Sequence, residues 1–169
     1  MNDTEQTSLA ILAATPAMLR ETLGRMPESI VATNLDRDWS PKRILAHVVD
    51  VDAPAFTDRL RRIVAEDKPS LTSIDAMAHL EESGLMSSPT SDLLDRLERE
   101  RREICEWLRT LTDDQIARTA THDSAGKLTA SNLLHYWAYH DIAHLRGIQR
   151  MVQSVLIHET GGISETMDV

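Results

Sequence analysis

The chain has 169 residues, 41% of them hydrophobic, and a formal net charge of −9, which suits a single domain whose core needs no covalent staple. That charge argues against binding a nucleic-acid backbone, which needs a positive patch, and the arginines at 96, 99, 101 and 102 interleave with Glu98, Glu100 and Glu103 as on a solvated helix face. Cys105 is the only cysteine, so an internal disulfide and a cysteine zinc site are excluded and a reducing, cytoplasmic setting is expected.

No segment approaches the roughly 20 apolar residues of a membrane span, and no basic leader opens the chain. Helical periods dominate and strand alternation is scarce. The expected class is all-α, a four-helix bundle forming one domain over residues 1–169, with 156–169 as a loosely held tail. The first helix is expected over residues 5–26, with Leu9, Leu12, Leu19 and Leu23 inward and a kink or fresh start at Thr15-Pro16. After an irregular connection, Ser40 and Pro41 supply an N-cap and a first helical position for a second helix running to Ala65. Ile44, His47, Val48, Val51 and Ala55 line one face of it, and Pro54 predicts a bend able to open a cavity.

Residues 66–89 read as a connection with a short helix near Ser73 to Glu82 that carries His79. A third helix starts at Pro89-Thr-Ser-Asp and turns Leu94, Leu97, Arg101, Ile104, Leu108 and Leu111 inward, the arginine reaching its charge to water. Cys105 beside that stripe reads as a small buried hydrophobe. Residues 112–128 form a polar loop containing Asp123-Ser-Ala-Gly126, and Thr129 caps a last helix reaching about Val155.

On that last helix Leu133, Trp137, His140, His144, Ile148, Met151 and Val155 fall close to one line. Two imidazoles therefore occupy core positions about 40° apart, whereas His135 is turned about 180° from His144. Neutral imidazoles at i, i+4 can reach one ion, and His47, also in a core stripe, is the candidate third ligand; three ligands leave a coordination position open. The alternative is three satisfied core imidazoles in a metal-free bundle. Asp50 and Asp141 read equally as carboxylates that orient the histidines or as surface groups. Trp137 reads as core packing, Tyr136 and Tyr139 lie on other faces, and His79, His122 and His158 are expected to be exposed.

Trp39-Ser-Pro-Lys-Arg-Ile-Leu-Ala-His47-Val-Val-Asp50, followed by Leu134-His-Tyr-Trp-Ala-Tyr-His140-Asp141-Ile-Ala-His144-Leu, resembles the DinB/YfiT-like superfamily. The likeness covers nearly the whole chain, and Thr15-Pro16-Ala17 and Leu128-Thr129 add to it. It implies an up-down-down-up bundle, often a homodimer, that binds a divalent metal, Zn or Ni first, through His47, His140 and His144. It differs in having Asp52 where many relatives have Glu, Gly147 where many have Gln, and Pro54 close behind the first histidine.

Relatives imply a low-molecular-weight-thiol-dependent S-transferase as the first expectation, acting on a small-molecule substrate with the thiol as co-substrate. The alternatives are a metal-dependent hydrolase and a non-catalytic metal- or ligand-binding dimer. There is no Glu-x-x-His of a di-iron bundle, no His-Glu-x-x-His, and no phosphate-binding glycine loop. No catalytic side chain is assigned.

Overall fold

Asn2 and Glu5 cap each other's backbone at the start of the first helix, α1 (Asp3–Leu23). The computed structural model describes residues 1–35, 39–160 and 163. Helix α1 runs unbroken through Pro16, so no new helix starts there. The proline has no N–H for the carbonyl one turn earlier, that of Leu12. Arg101 Nη1 instead donates to that oxygen at 3.3 Å.

A single turn, α2 (Glu28–Val31), precedes α3 (Pro41–Val51), where Ser40 Oγ accepts from the Arg43 N–H with Pro41 in the first turn. The expected long second helix is divided. Residues Asp52–Thr57 form a π-helical segment around Pro54, and the α-helical winding resumes as α4 (Asp58–Ala65). A missing donor in the i→i−4 ladder is accommodated by a wider turn, so the bend expected from Pro54 takes this form.

Asp75 caps α5 (Ala76–Ser83), and α6 (Thr90–Leu108) follows. The stretch read as a polar loop holds more order than expected. It contains the turn α7 (Asp113–Ile116) and two strands, β2 (Thr119–His122) and β3 (Gly126–Thr129). These form an antiparallel hairpin in which His122 faces Gly126, and β1 (Ser70–Leu71) pairs in parallel with β2. Gly126 has φ +71°, the left-handed conformation that closes a three-residue hairpin loop at little cost for glycine. Thr129 Oγ1 accepts from Asn132 N, and Asn132 Oδ1 accepts from Thr129 N, which starts α8 (Ala130–Ile157) as expected.

Residue pairs fix the directions of the four long helices. Glu5 meets Ser131 and Ser8 meets His135, so α1 and α8 run parallel. Arg20 meets Asp95 while Leu12 meets Arg101, so α6 runs opposite to α1. His47 meets His140 while Phe56 stacks on Trp137, so α3 and its π-helical extension oppose α8. The order is up, down, down, up, and the consecutive long helices α1 and α3 sit on opposite sides, each packed on α6 and α8.

The core has two apolar layers. One gathers Leu12, Val51, Phe56, Ile104 and Trp137, and the other Leu19, Ile44, Leu45, Leu94 and Ile148. Between them along α3, α6 and α8 lie His47, Arg101 and Asp141, which form a polar belt. Cys105 is 2% exposed, the buried hydrophobe expected of it. Of the tail, α8 and a 3₁₀ turn continue to Thr160; the exposure expected of His158 and the loose hold expected of 161, 162 and 164–169 fall outside the described residues.

Candidate metal centre

Helix α3 presents His47 and helix α8 presents His140 and His144, one turn apart, to the same point. Nε2 of His140 lies 3.3 Å from Nε2 of His47 and 3.0 Å from Nε2 of His144. All three residues offer a ligand atom within 4.8 Å of the others. Metal–nitrogen bonds of about 2.0–2.1 Å at tetrahedral angles put ligand nitrogens about 3.3 Å apart, so the cluster has the dimensions of a first coordination sphere.

Hydrogen bonding alone accounts poorly for this meeting. Each neutral imidazole has one donor and one acceptor nitrogen, and a single His140 Nε2 facing two other Nε2 atoms makes at most one good hydrogen bond. The Nδ1 atoms of His47 and His140 are buried without a partner, an unusual cost for polar atoms. Burial, then the neighbouring His140, pushes His47 down to about 4. Burial, then His140 and His47, pushes His144 down to about 3. Both are neutral at pH 7, with lone pairs free for a cation, so the donor set fits a divalent ion.

Next to His140 on α8, Asp141 faces the other way into the second half of the belt. Arg101 bonds Asp52 through Nε and Nη2 at 2.5 and 2.8 Å, and Asp141 through Nη1 and Nη2 at 2.6 and 2.8 Å. Trp137 Nε1 donates to Asp52 at 3.2 Å, and the guanidinium carbon lies 4.7 Å from the Trp137 ring centre. Arg101 is thus 1% exposed and does not reach water as expected. Two carboxylates, a carbonyl and an aromatic face replace the solvent it gives up. Burial works against its charge, but Asp52 and Asp141 hold its pKa above the ordinary arginine value. One guanidinium shared by two carboxylates cannot fully compensate both: burial keeps the Asp52 carboxyl raised, whereas for Asp141 the Arg101 bonds outweigh burial and leave it lowered.

Asp50 and Asp141 are both buried, which corrects the surface reading, yet neither hydrogen-bonds a cluster histidine. Asp50 Oδ2 lies 2.7 Å from His79 Nδ1 on α5, and Asp141 Oδ1 stays 4.0 Å from His140 Nδ1. His79 is exposed at its other edge. His135 lies off the site as expected, held by Ser8 and Ser131. Trp137 is fully buried core. Gly147 comes where α8 nears α3: a Cβ there would meet Ile44 Cδ1 at 3.3 Å, so a larger side chain has no room without a shift of Ile44.

The histidine cluster opens into a cavity of about 580 Å³, within the range of small-molecule sites. Phe56 and Tyr136 wall it, and the sheet that sequence reading missed supplies the far side through His122, Ser124 and Leu128. His122 is therefore not merely exposed; its side chain is 10% accessible. Its Nδ1 has Asp123 Oδ1 at 3.1 Å but accepts from the Ser124 and Ala125 N–H groups, and these two donors require its lone pair, which leaves the neutral ring's proton on Nε2. Arg59 of α4 also lines the cavity. Asp123-Ser-Ala-Gly126, a short glycine-closed turn, was the signal for the hairpin.

The DinB superfamily model matches residues 11–148. The chain belongs to the DinB superfamily. Among curated proteins it is 26% identical over 147 residues to the "Putative metal-dependent hydrolase YfiT" of Bacillus subtilis (strain 168), covering 84% of this chain and 82% of that one. The solved structure of YfiT, described as a probable metal-dependent hydrolase with an unusual four-helix bundle topology, superposes with a TM-score of 0.82 at 22% identity, over 92% of this chain and 90% of that one. This DinB-superfamily member thus shares the YfiT fold. Among the described residues no helix is long and apolar enough to cross a membrane.

Proposed function

We propose that this DinB-superfamily chain is a divalent-metal-dependent hydrolase of small molecules, with His47, His140 and His144 as the metal ligands. The observation that carries the reading is the convergence of three imidazoles at an open cavity. Likeness to YfiT supports the reaction class. Such an ion supplies Lewis acidity, lowering the pKa of water and polarising a carbonyl.

The chain's own residues do the rest. Burial keeps His47 and His144 neutral and able to ligate. Phe56, 5.2 Å from His140 and stacked 5.0 Å from Trp137, limits the motion of His140 and shields one side of the site from water. The Arg101 cluster anchors the α8 turn carrying His140 to the π-helical turn that follows His47. Three ligands leave room for a substrate atom, and a low-molecular-weight thiol can occupy that position as water does. Thiol transfer is therefore the second chemistry to assay, favoured by the same open geometry.

The test is elemental mass spectrometry on untagged protein purified without a metal column, beside the triple variant His47→Ala, His140→Ala, His144→Ala. Near-stoichiometric metal that is lost in the folded variant is the expected result. Ester and amide hydrolysis with and without added thiol then separates the chemistries. A metal-free chain that takes up neither Zn nor Ni would overturn the proposal.

A further inference from the structure

Arg59 is an arginine whose charge the protein leaves without a counter-ion. Its Nη2 donates to the Thr72 carbonyl at 2.5 Å, and among the described residues no carboxylate lies within ion-pair distance of it. Asp123 acts on it only from farther away; that carboxylate is already taken by the Ser73 N–H and hydroxyl at 2.8 and 2.6 Å. A guanidinium carries five donors in a planar fork, so most of this one is unused. It lies half-buried on the wall of a mostly apolar cavity, where an unpaired cation is costly. Arg101 is also buried, and the protein surrounds it with two carboxylates.

The neighbouring wall adds a second donor. With Nδ1 of His122 accepting from two backbone N–H groups, its Nε2–H is free for a ligand. Val51, Ala55, Leu128 and Leu133 line the same cavity, which also reaches the histidine cluster. We propose that Arg59, assisted by His122 Nε2–H, binds the carboxylate of an amphipathic substrate whose apolar middle lies along these side chains and whose reactive end reaches the cluster. A carboxylate fits better than a phosphate, because one planar fork matches one monoanion in a bidentate pair and no other arginine or lysine lines the cavity. The assignment rests on the metal-site reading above and adds the substrate's charge and shape to it.

Two-ended probes test it. The monohydroxamates of succinic, adipic and suberic acids carry a metal-binding end and a carboxylate end, and their methyl esters keep the first and neutralise the second. Titrated calorimetrically into the zinc-loaded full chain, an acid of at least one length should bind ten-fold or more tighter than its ester. Arg59→Gln should abolish that preference while zinc content and ester affinity stay unchanged, and Arg59→Lys should keep part of it. Equal binding of acid and ester at every length, or a preference that survives in Arg59→Gln, would overturn the assignment. If the chain takes up no zinc, the metal reading fails separately. 4-Phenylbutanoate against 4-phenylbutanamide then decides the anion site alone, equal binding of the two overturning it.

Discussion

His140 and Asp141 are consecutive residues on α8, yet they belong to opposite kinds of polar cluster. Around Asp141 the protein supplies every partner: the carboxylate, Arg101, Asp52, the Trp137 N–H and the Leu12 carbonyl close on one another with 0–5% side-chain exposure for the charged groups. Around His140 three ring nitrogens face each other with too few protons to satisfy them, and two Nδ1 atoms have no partner. A polar cluster that completes itself belongs to the architecture, whereas one that leaves lone pairs and donors unused is arranged for something that arrives. Arg101 and Arg59 repeat the contrast in cations.

The largest effect that sharpens this contrast is expected at Arg101. Arg101→Leu leaves Asp52 and Asp141 buried without their cation and should cost about 3–5 kcal/mol, read from urea denaturation. A loss below about 1 kcal/mol would show that the belt is not self-completing.

Acid should act next, and on the histidine side. In the metal-free protein His47 and His144 have pKa values lowered to about 4 and about 3, so the unfolded chain binds protons below about pH 6.5 that the native one does not. Stability is therefore fully present above that pH and falls as pH drops towards 4, by on the order of 3 kcal/mol for each histidine. A flat profile over that window in chelator-treated protein would contradict the buried neutral histidines.

His144→Leu in metal-free protein is expected to change stability by no more than about 1 kcal/mol, since its Nε2 contact with His140 is exchanged for apolar burial. Its metal uptake should nevertheless disappear. A large stability loss without metal would return the cluster to an architectural role. The smallest effect is expected where both partners reach solvent: Glu66→Ala breaks an ion pair with Arg62 whose side chains are 47% and 44% exposed, and such pairs are worth about 0–1 kcal/mol. Thermal melts would check it.

Most of the bundle was legible because inward leucines recur at helical spacing and the Ser40-Pro41 and Thr129 starts are local signals. The histidines were legible for the same reason, being polar residues in apolar stripes. Arg101 stood in such a stripe too, but its carboxylates come from 49 and 40 residues away, and nothing local names them. The hairpin escaped because its strands are four residues each, without β-branched or aromatic runs. Hence His122 and the far wall of the cavity were hidden. Arg59 stands in the sequence beside Arg61 and Arg62, with nothing local to set it apart; only the folded chain separates it from them.

The π-helical turn at Pro54 acts on angle as well as on hydrogen bonds. In an unbroken α-helix, His47 and Arg59, twelve residues apart, would point about 120° away from each other. The i→i+5 winding of residues 52–57 advances less per residue, takes up that difference, and brings both side chains to the same cavity. This turn therefore works as a phase shifter: rewinding it as α-helix with all its residues kept would turn Arg59 about 120° out of phase with His47, whereas an α-helix one residue shorter would hold the two within about 20° of each other.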